Sequence, residues 1–190
     1  MQSIEFEITG STPLLVNRFH EEARLEATRG IHARHTDWPE ARVDAISRLY
    51  LVPEDGVEDE KRKPYFPAEN LRQAVITAAG RQKIGRRAAT ADMAGALWLE
   101  PDALPLYGDW ELDERPVVIP STRGRLVRAR PRFDKWSIAG TLHYDERLVD
   151  SRLVRTCLDE AGMYVGVGDF RPQKKGPYGR FTVTNWNPHT

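Results

Sequence analysis

Cysteine is nearly missing from this chain. Cys157 stands alone among 190 residues, which excludes an internal disulfide and any cysteine-rich zinc site. Net charge is missing too. The 28 lysines and arginines balance 28 aspartates and glutamates, which argues against a free-standing, uniformly basic nucleic-acid binder. No run approaches the roughly 18 apolar residues that a membrane-spanning helix needs. No internal repeat or low-complexity tract is present. The opening residues 1–7 lack the charged and apolar regions of a signal peptide. The expected setting is therefore the cytoplasm, without a membrane.

The composition, 40% hydrophobic and 29% charged, suits a globular protein of one domain spanning 1–190. Its charge is segregated. Residues 54–60 are acidic and residues 81–87 are basic. Residues 123–135 carry Arg123, Arg125, Arg128, Arg130, Arg132 and Lys135 against Asp134 alone. Such blocks suit a protein that meets a polyanion on one face and something else on another, or one that self-associates head to tail.

A stretch near the C-terminus concentrates the chemistry. Gly166, Gly168, Gly176 and Gly179 bracket Arg171, Lys174, Lys175 and Arg180, with Phe170 and Tyr178 between them. Glycine lets the backbone approach a ligand closely, and successive N–H groups in such a loop can form an anion-binding nest. The cations would meet phosphate, and the rings would stack on bases. The bland alternative is a glycine-rich connection with a solvated basic tip.

The remaining elements follow from periodicity. Ile4, Phe6 and Ile8 alternate with Glu5 and Glu7, as in a half-buried strand. Residues 40–50 read as an amphipathic helix with Val43, Ile46, Leu49 and Tyr50 on its stripe. Residues 68–80 read as a helix opened by Pro67 and stopped by Gly80. Residues 91–99 read as a turn or strand. Residues 104–107 and 117–119 read as short strands, the second belonging to a hairpin with one basic face. Residues 136–144 alternate as a strand, with His143 opposite the apolar face. Residues 150–162 form a helix capped by Asp150 or Ser151 and ended by Gly162, and the strand at 181–186 closes the chain. Cys157 falls on the buried face of its helix. Trp98, Trp136 and Trp186 fall at strand positions suited to a core, whereas Trp38 and Trp110 fall in loops. The order predicts an α+β fold, with helices on one face of a mostly antiparallel sheet. A ferredoxin-like or RRM-like core is the economical choice, with insertions near 17–65 and 108–132.

Three features resemble the RAMP superfamily, the RRM-like backbone subunits of CRISPR effector complexes. The first strand runs into Gly10-Ser-Thr-Pro-Leu-Leu. The helix opens on Pro64-Tyr-Phe-Pro-Ala-Glu-Asn-Leu-Arg-Gln-Ala, similar to that family's Pro-x-x-x-Leu-(Lys/Arg)-x-x-(Leu/Val). Gly166-x-Gly168…Gly176-x-x-Gly179-Arg-Phe lies between a helix and a strand, as that family's glycine-rich loop does. The resemblance covers about half the chain, in pieces. It implies a non-catalytic subunit that polymerises on a guide RNA beside copies of itself and other effector subunits. Asn70, Arg72 and the loop at 166–180 would hold RNA backbone. The hairpin around 117–133, with Arg123, Arg125, Arg128 and Arg130, would be the thumb. Some relatives cleave RNA with an aspartate after the first strand. Residues 9–19 contain none, so cleavage is not carried over.

Two other readings stay open: a metal- or histidine-dependent nuclease, and a structural assembly protein of a phage or particle. His20, His32 and His35 lie near several carboxylates, but their spacing matches no established zinc motif. His143 would be a further acid–base candidate. No metal or cofactor is expected.

Overall fold

The structure, a computed structural model, describes residues 1–18, 40–118 and 125–189. Strand β1 (Gln2–Gly10) buries Ile4, Phe6 and Ile8, as its alternation requires. A short strand, β2 (Leu14–Leu15), follows. Helix α1 (Ala41–Ser47) is shorter than expected, and only part of its stripe faces inward. Ala45 and Leu49 are buried, whereas Val43 is 55% exposed.

The main path continues through β3 (Tyr65–Pro67) into α2 (Ala68–Ala79). Pro67 sits just before the first helical residue, with φ −62°. It closes the strand and presents a helix-compatible φ without needing an N–H. Leu71, Ala74, Val75 and Ala78 face the core at helical spacing. A two-strand ribbon, β4 (Lys83–Ile84) and β5 (Arg87–Ala88), carries the basic stretch. Residues 91–99, expected as a turn or strand, divide into α3 (Thr90–Ala96) and β6 (Leu97–Glu100). The small, helix-favouring Ala91, Ala94 and Ala96 form the first part, and Leu-Trp-Leu the second.

After β7 (Ala103–Tyr107), the chain leaves the central sheet in a long hairpin of β8 (Trp110–Val118) and β9 (Arg125–Phe133). It returns as β10 (Ser137–Tyr144), α4 (Ser151–Glu160) and β11 (Phe181–His189). The expected strand at 117–119 is thus the far end of a nine-residue strand. Trp110 lies on that strand, partly buried against the core, and not in a loop.

The central sheet runs β11-β1-β10-β7-β3, with β6 also paired to β10. β6 and β7 each pair antiparallel with one half of β10, so together they act as one interrupted strand. The path β1-α2-β6/β7-β10-α4-β11 then has its four strands in the spatial order fourth, first, third, second. That is the ferredoxin-like order, and every adjacent pair is antiparallel. The fold is α+β, with α2 and α4 packed together over one face. β2, β9 and β8 form a second sheet beside it.

Beneath the helices, Ile4, Phe6, Ile138 and Leu142 meet Leu71, Val75, Val154 and Leu158. Burying each such side chain contributes about 1.5–3 kcal/mol. Trp136 is buried. Trp98 is only half-buried and stacks on His143 across the open face, with ring centroids 5.2 Å apart. Gly162 does not end α4. The chain continues through a wider turn, Ala161–Val165, where Gly162 lies so close to the Phe181 carbonyl that a Cβ would overlap it. Among the described residues no helix is long and apolar enough to cross a membrane.

Two measurements bear on these elements. The Asp150 side chain accepts a 2.7 Å hydrogen bond from the Leu153 amide, so Asp150→Ala is expected to cost about 1 kcal/mol in urea unfolding. Burial, then the nearby Glu160 charge, pushes the Cys157 thiol up to about 12. Iodoacetamide at pH 8 is expected to leave Cys157 unmodified in the native protein and to alkylate it in denaturant.

Candidate nucleic-acid interface

The stretch from Gly166 to Arg180 folds back on itself. The Val167 amide donates to the Gly179 carbonyl at 2.9 Å, and the Tyr178 amide to that of Phe170 at 3.3 Å. The doubled loop then docks on the segment after β1. The Gly179 amide donates to the Pro13 carbonyl and the Asp169 amide to that of Leu15, both at 2.8 Å. Gly179 has φ +72°, and a Cβ there would overlap the Val167 carbonyl oxygen. A Cβ at Gly176 would overlap the Phe170 carbonyl oxygen. These glycines permit close packing of backbone on backbone. Most loop amides are satisfied internally, so the expected run of outward N–H groups is reduced. Among the described residues, the amides of Gly168, Arg171 and Gln173 take no part in these bonds.

One face of the loop meets α2. Asn70, Gln73, Ala74 and Thr77 recur at helical spacing and line a cleft of about 480 Å³ with Gly166, Gly168, Arg171 and Gln173 opposite. Val16, Asn17 and Tyr50 close another side, and Phe66 also lines it. The Arg171 guanidinium is held in place. It donates to the Gln173 side-chain oxygen at 2.9 and 3.1 Å and to the Gly168 carbonyl at 3.0 Å.

The loop's other face meets the hairpin. Tyr178 lies under the Arg115 guanidinium of β8, 4.8 Å from the ring centroid, and 6.2 Å from the Phe170 ring. Phe170 has φ +48° and is 46% exposed. Left-handed backbone at an aromatic residue is strained, and here it points a large apolar ring outward. Its amide donates to the Asp169 carboxylate at 2.9 Å. Asp169 also pairs with Arg130 of β9 at 3.2 Å and accepts from Asn17 at 3.3 Å. Asn17 in turn accepts from Arg48 at 2.9 Å, and Arg48 pairs with Asp44 at 2.8 Å. One polar chain therefore ties α1, the loop and the hairpin together.

The arginines at the hairpin base are locally neutralised. Asp113 is buried, and accepts from Arg115 at 2.7 Å. That hydrogen bond is the main reason the Arg115 guanidinium titrates above its ordinary value. Arg132 is raised chiefly by its bonds to Asp134, 2.8 and 3.0 Å long.

No family model and no curated protein matches the sequence. One solved structure with a similar trace is a Cas6 product complex. The identity is 10%, over 94% of this chain and 50% of that one, with a TM-score of 0.28. This chain therefore spans half the length of that protein. The ferredoxin-like assignment rests on the strand order above.

The structure brings some of the sequence-predicted residues together and separates others. Asn70, Gly166, Gly168 and Arg171 share the cleft. Arg72 does not join them. It faces the other way along α2, donating to the Leu97 carbonyl at 2.7 Å and the Ala94 carbonyl at 2.5 Å. Lys174 and Lys175 are exposed at the loop tip. Arg180 points back to the Met163 carbonyl. Phe170 and Tyr178 lie on the hairpin side, and Gly176 and Gly179 are interior to the loop. Arg130 is tucked onto Asp169 while Val127 is 58% exposed, so β9 does not present a simple basic face. Arg123 lies outside the described residues, as do His20, His32 and His35. The side chains of Arg125 and Arg128 lie outside them too. His143 is remote from the cleft, on the open sheet face, 3.1 Å from Glu100.

The residues that sequence reasoning missed are Asn17, Gln73, Asp113, Arg115 and Asp169. Gln73 was accessible, one helical turn from Asn70. The others become neighbours only through long-range pairing. The loop geometry predicts that Gly179→Ala will be destabilising by more than about 1 kcal/mol, since the new Cβ meets backbone that cannot swing away. Thermal unfolding reads this directly, and an unchanged Tm would contradict it.

Proposed function

We propose that the chain is a non-catalytic RNA-binding subunit that lies along a guide-like RNA in a CRISPR-type ribonucleoprotein, beside copies of itself and other effector subunits. The observation that carries this reading is the convergence of two distant stretches. The Asn70 face of α2 and the loop from Gly166 to Gln173 meet in one cleft. On the loop's other side, Arg115 of the hairpin stands over Tyr178. The resemblance to the RAMP superfamily assigns Asn70 and the loop to RNA, and Arg115 lies just before the hairpin at 117–133 that it makes the thumb.

The physical division is consistent with a single strand crossing the loop. Lys174 and Lys175, exposed at its tip, supply cations for phosphate. The outward ring of Phe170 beside Tyr178 supplies a stacking surface. A single strand suits this arrangement because its bases are free to stack on side chains. The hairpin, rising from Arg115 and Arg130, takes the thumb role in this reading.

Purification provides the first test. Size-exclusion mass and the 260/280 nm absorbance ratio are measured before and after RNase. The expected result is a nucleic-acid-rich particle that falls to small species. A large particle free of nucleic acid would favour a structural assembly protein instead. In direct titration with single-stranded RNA, the double variant Lys174→Ala, Lys175→Ala is expected to lower the salt slope by about 1.4, because two phosphates are no longer neutralised. A slope equal to wild type would remove these lysines from the phosphate path.

A further inference from the structure

We infer that the cleft between α2 and the loop is a nucleobase pocket, and not a phosphate site; this rests on the RNA-binding reading above and deepens it. The volume, about 480 Å³, lies within the roughly 300–1,000 Å³ of small-ligand sites. Its lining is rich in carboxamides: Asn70, Gln73 and Gln173, with Asn17 beside them, whose two ends are engaged by Arg48 and Asp169.

The bonding of each group decides what it offers. Asn70 lines the cleft and makes no hydrogen bond to another described residue, so among these residues its carbonyl and its NH2 are both uncommitted. The Gln73 NH2 donates to Glu69 at 2.6 Å, which leaves its oxygen available. The Gln173 oxygen is taken by Arg171, which leaves its NH2 available. The pocket thus combines donors and acceptors, as the edge of a base requires. Tyr50 contributes an aromatic ring to the lining, packed at a tilt on Tyr65 with centroids 5.7 Å apart. An aromatic wall beside carboxamides is how splayed single-strand bases are held.

A phosphate fits poorly. The lining carries one cation, Arg171, and one carboxylate, Asp169. Arg171 already directs its donors at Gln173 and Gly168. An anion entering here would meet Asp169, whose charge Arg130 balances, and an Arg171 with each of its nitrogens already engaged. An uncharged heterocycle meets no such opposition.

The experiment uses fluorescence anisotropy with ten-nucleotide homopolymers of A, C, G and U at one salt concentration. The variants are Asn70→Ala and Gln73→Ala, on an exposed helix face where alanine keeps the helix. Wild type is expected to prefer one homopolymer. The variants are expected to reduce that preference by roughly five- to one-hundredfold, with the salt slope unchanged. A uniform loss for all four with a smaller slope, or an untouched preference, would overturn the base pocket while leaving RNA binding intact. If no homopolymer binds, the RNA reading fails on its own terms. Calorimetry with free nucleosides then decides the pocket. Nucleoside binding that Asn70→Ala abolishes supports a pocket for the free ligand, and no nucleoside binding rejects the pocket.

Discussion

The arrangement depends on a loop packed backbone against backbone. The segment from Gly166 to Arg180 is anchored at three levels: onto itself through Val167 and Gly179, onto the chain after β1 through Pro13 and Leu15, and onto the hairpin through Asp169 and Arg130. With its backbone groups paired in this number, the loop forms one wall of the cleft. Without that wall, the carboxamides of Asn70 and Gln73 would face open solvent. The glycines matter here as empty space, because a Cβ at Gly176 or Gly179 would occupy the position of a carbonyl oxygen.

Charge is arranged around the same wall. The arginine-rich hairpin reads in sequence as an unshielded cationic strand. In the fold, Asp113, Asp134 and Asp169 neutralise Arg115, Arg132 and Arg130. These partly buried pairs set geometry more than they add stability. Arg115 is aimed at Tyr178, and Arg130 is aimed at the carboxylate that caps Phe170. The cations of the loop tip, Lys174 and Lys175, stand exposed. A formal net charge of zero is compatible with polyanion binding when the pairing is this selective.

The open face of the central sheet has a different character. RRM domains stack bases there on aromatic residues. In this chain β1 places Glu5 and Glu7 opposite Thr141 and Ala139 of β10 on that face. The stacked rings of Trp98 and His143 lie toward its margin. Carboxylates at the centre of the platform oppose a phosphate chain. The fold class is shared with RNA-binding domains, but the function proposed above uses the loop, α2 and the hairpin in place of this face. Fold alone does not place the function.

How much of this was legible in the sequence follows from the range of the forces involved. The period-two pattern of β1 and β10, the apolar stripes of α2 and α4, the Pro67 boundary and the buried Cys157 are short-range signals, and each is found where the periodicity put it. So is the α+β order, because the succession of elements constrains the topology. Where short-range cues compete, the outcome was not legible: Val43 faces solvent, residues 91–99 divide into helix and strand, and Gly162 sits inside a turn instead of ending a helix. The loop was visible as a cluster of glycines, cations and rings, and Asn70 as a helix position. Their meeting was not, nor was the turning of Arg72 toward the carbonyls of Ala94 and Leu97. By itself the sequence determined which segments are strands and helices and which side of each is apolar, since those depend on neighbours a few residues away. Only the tertiary structure decided which polar groups are already satisfied and which remain available, because that depends on partners as distant in the chain as Asn17 and Asp169.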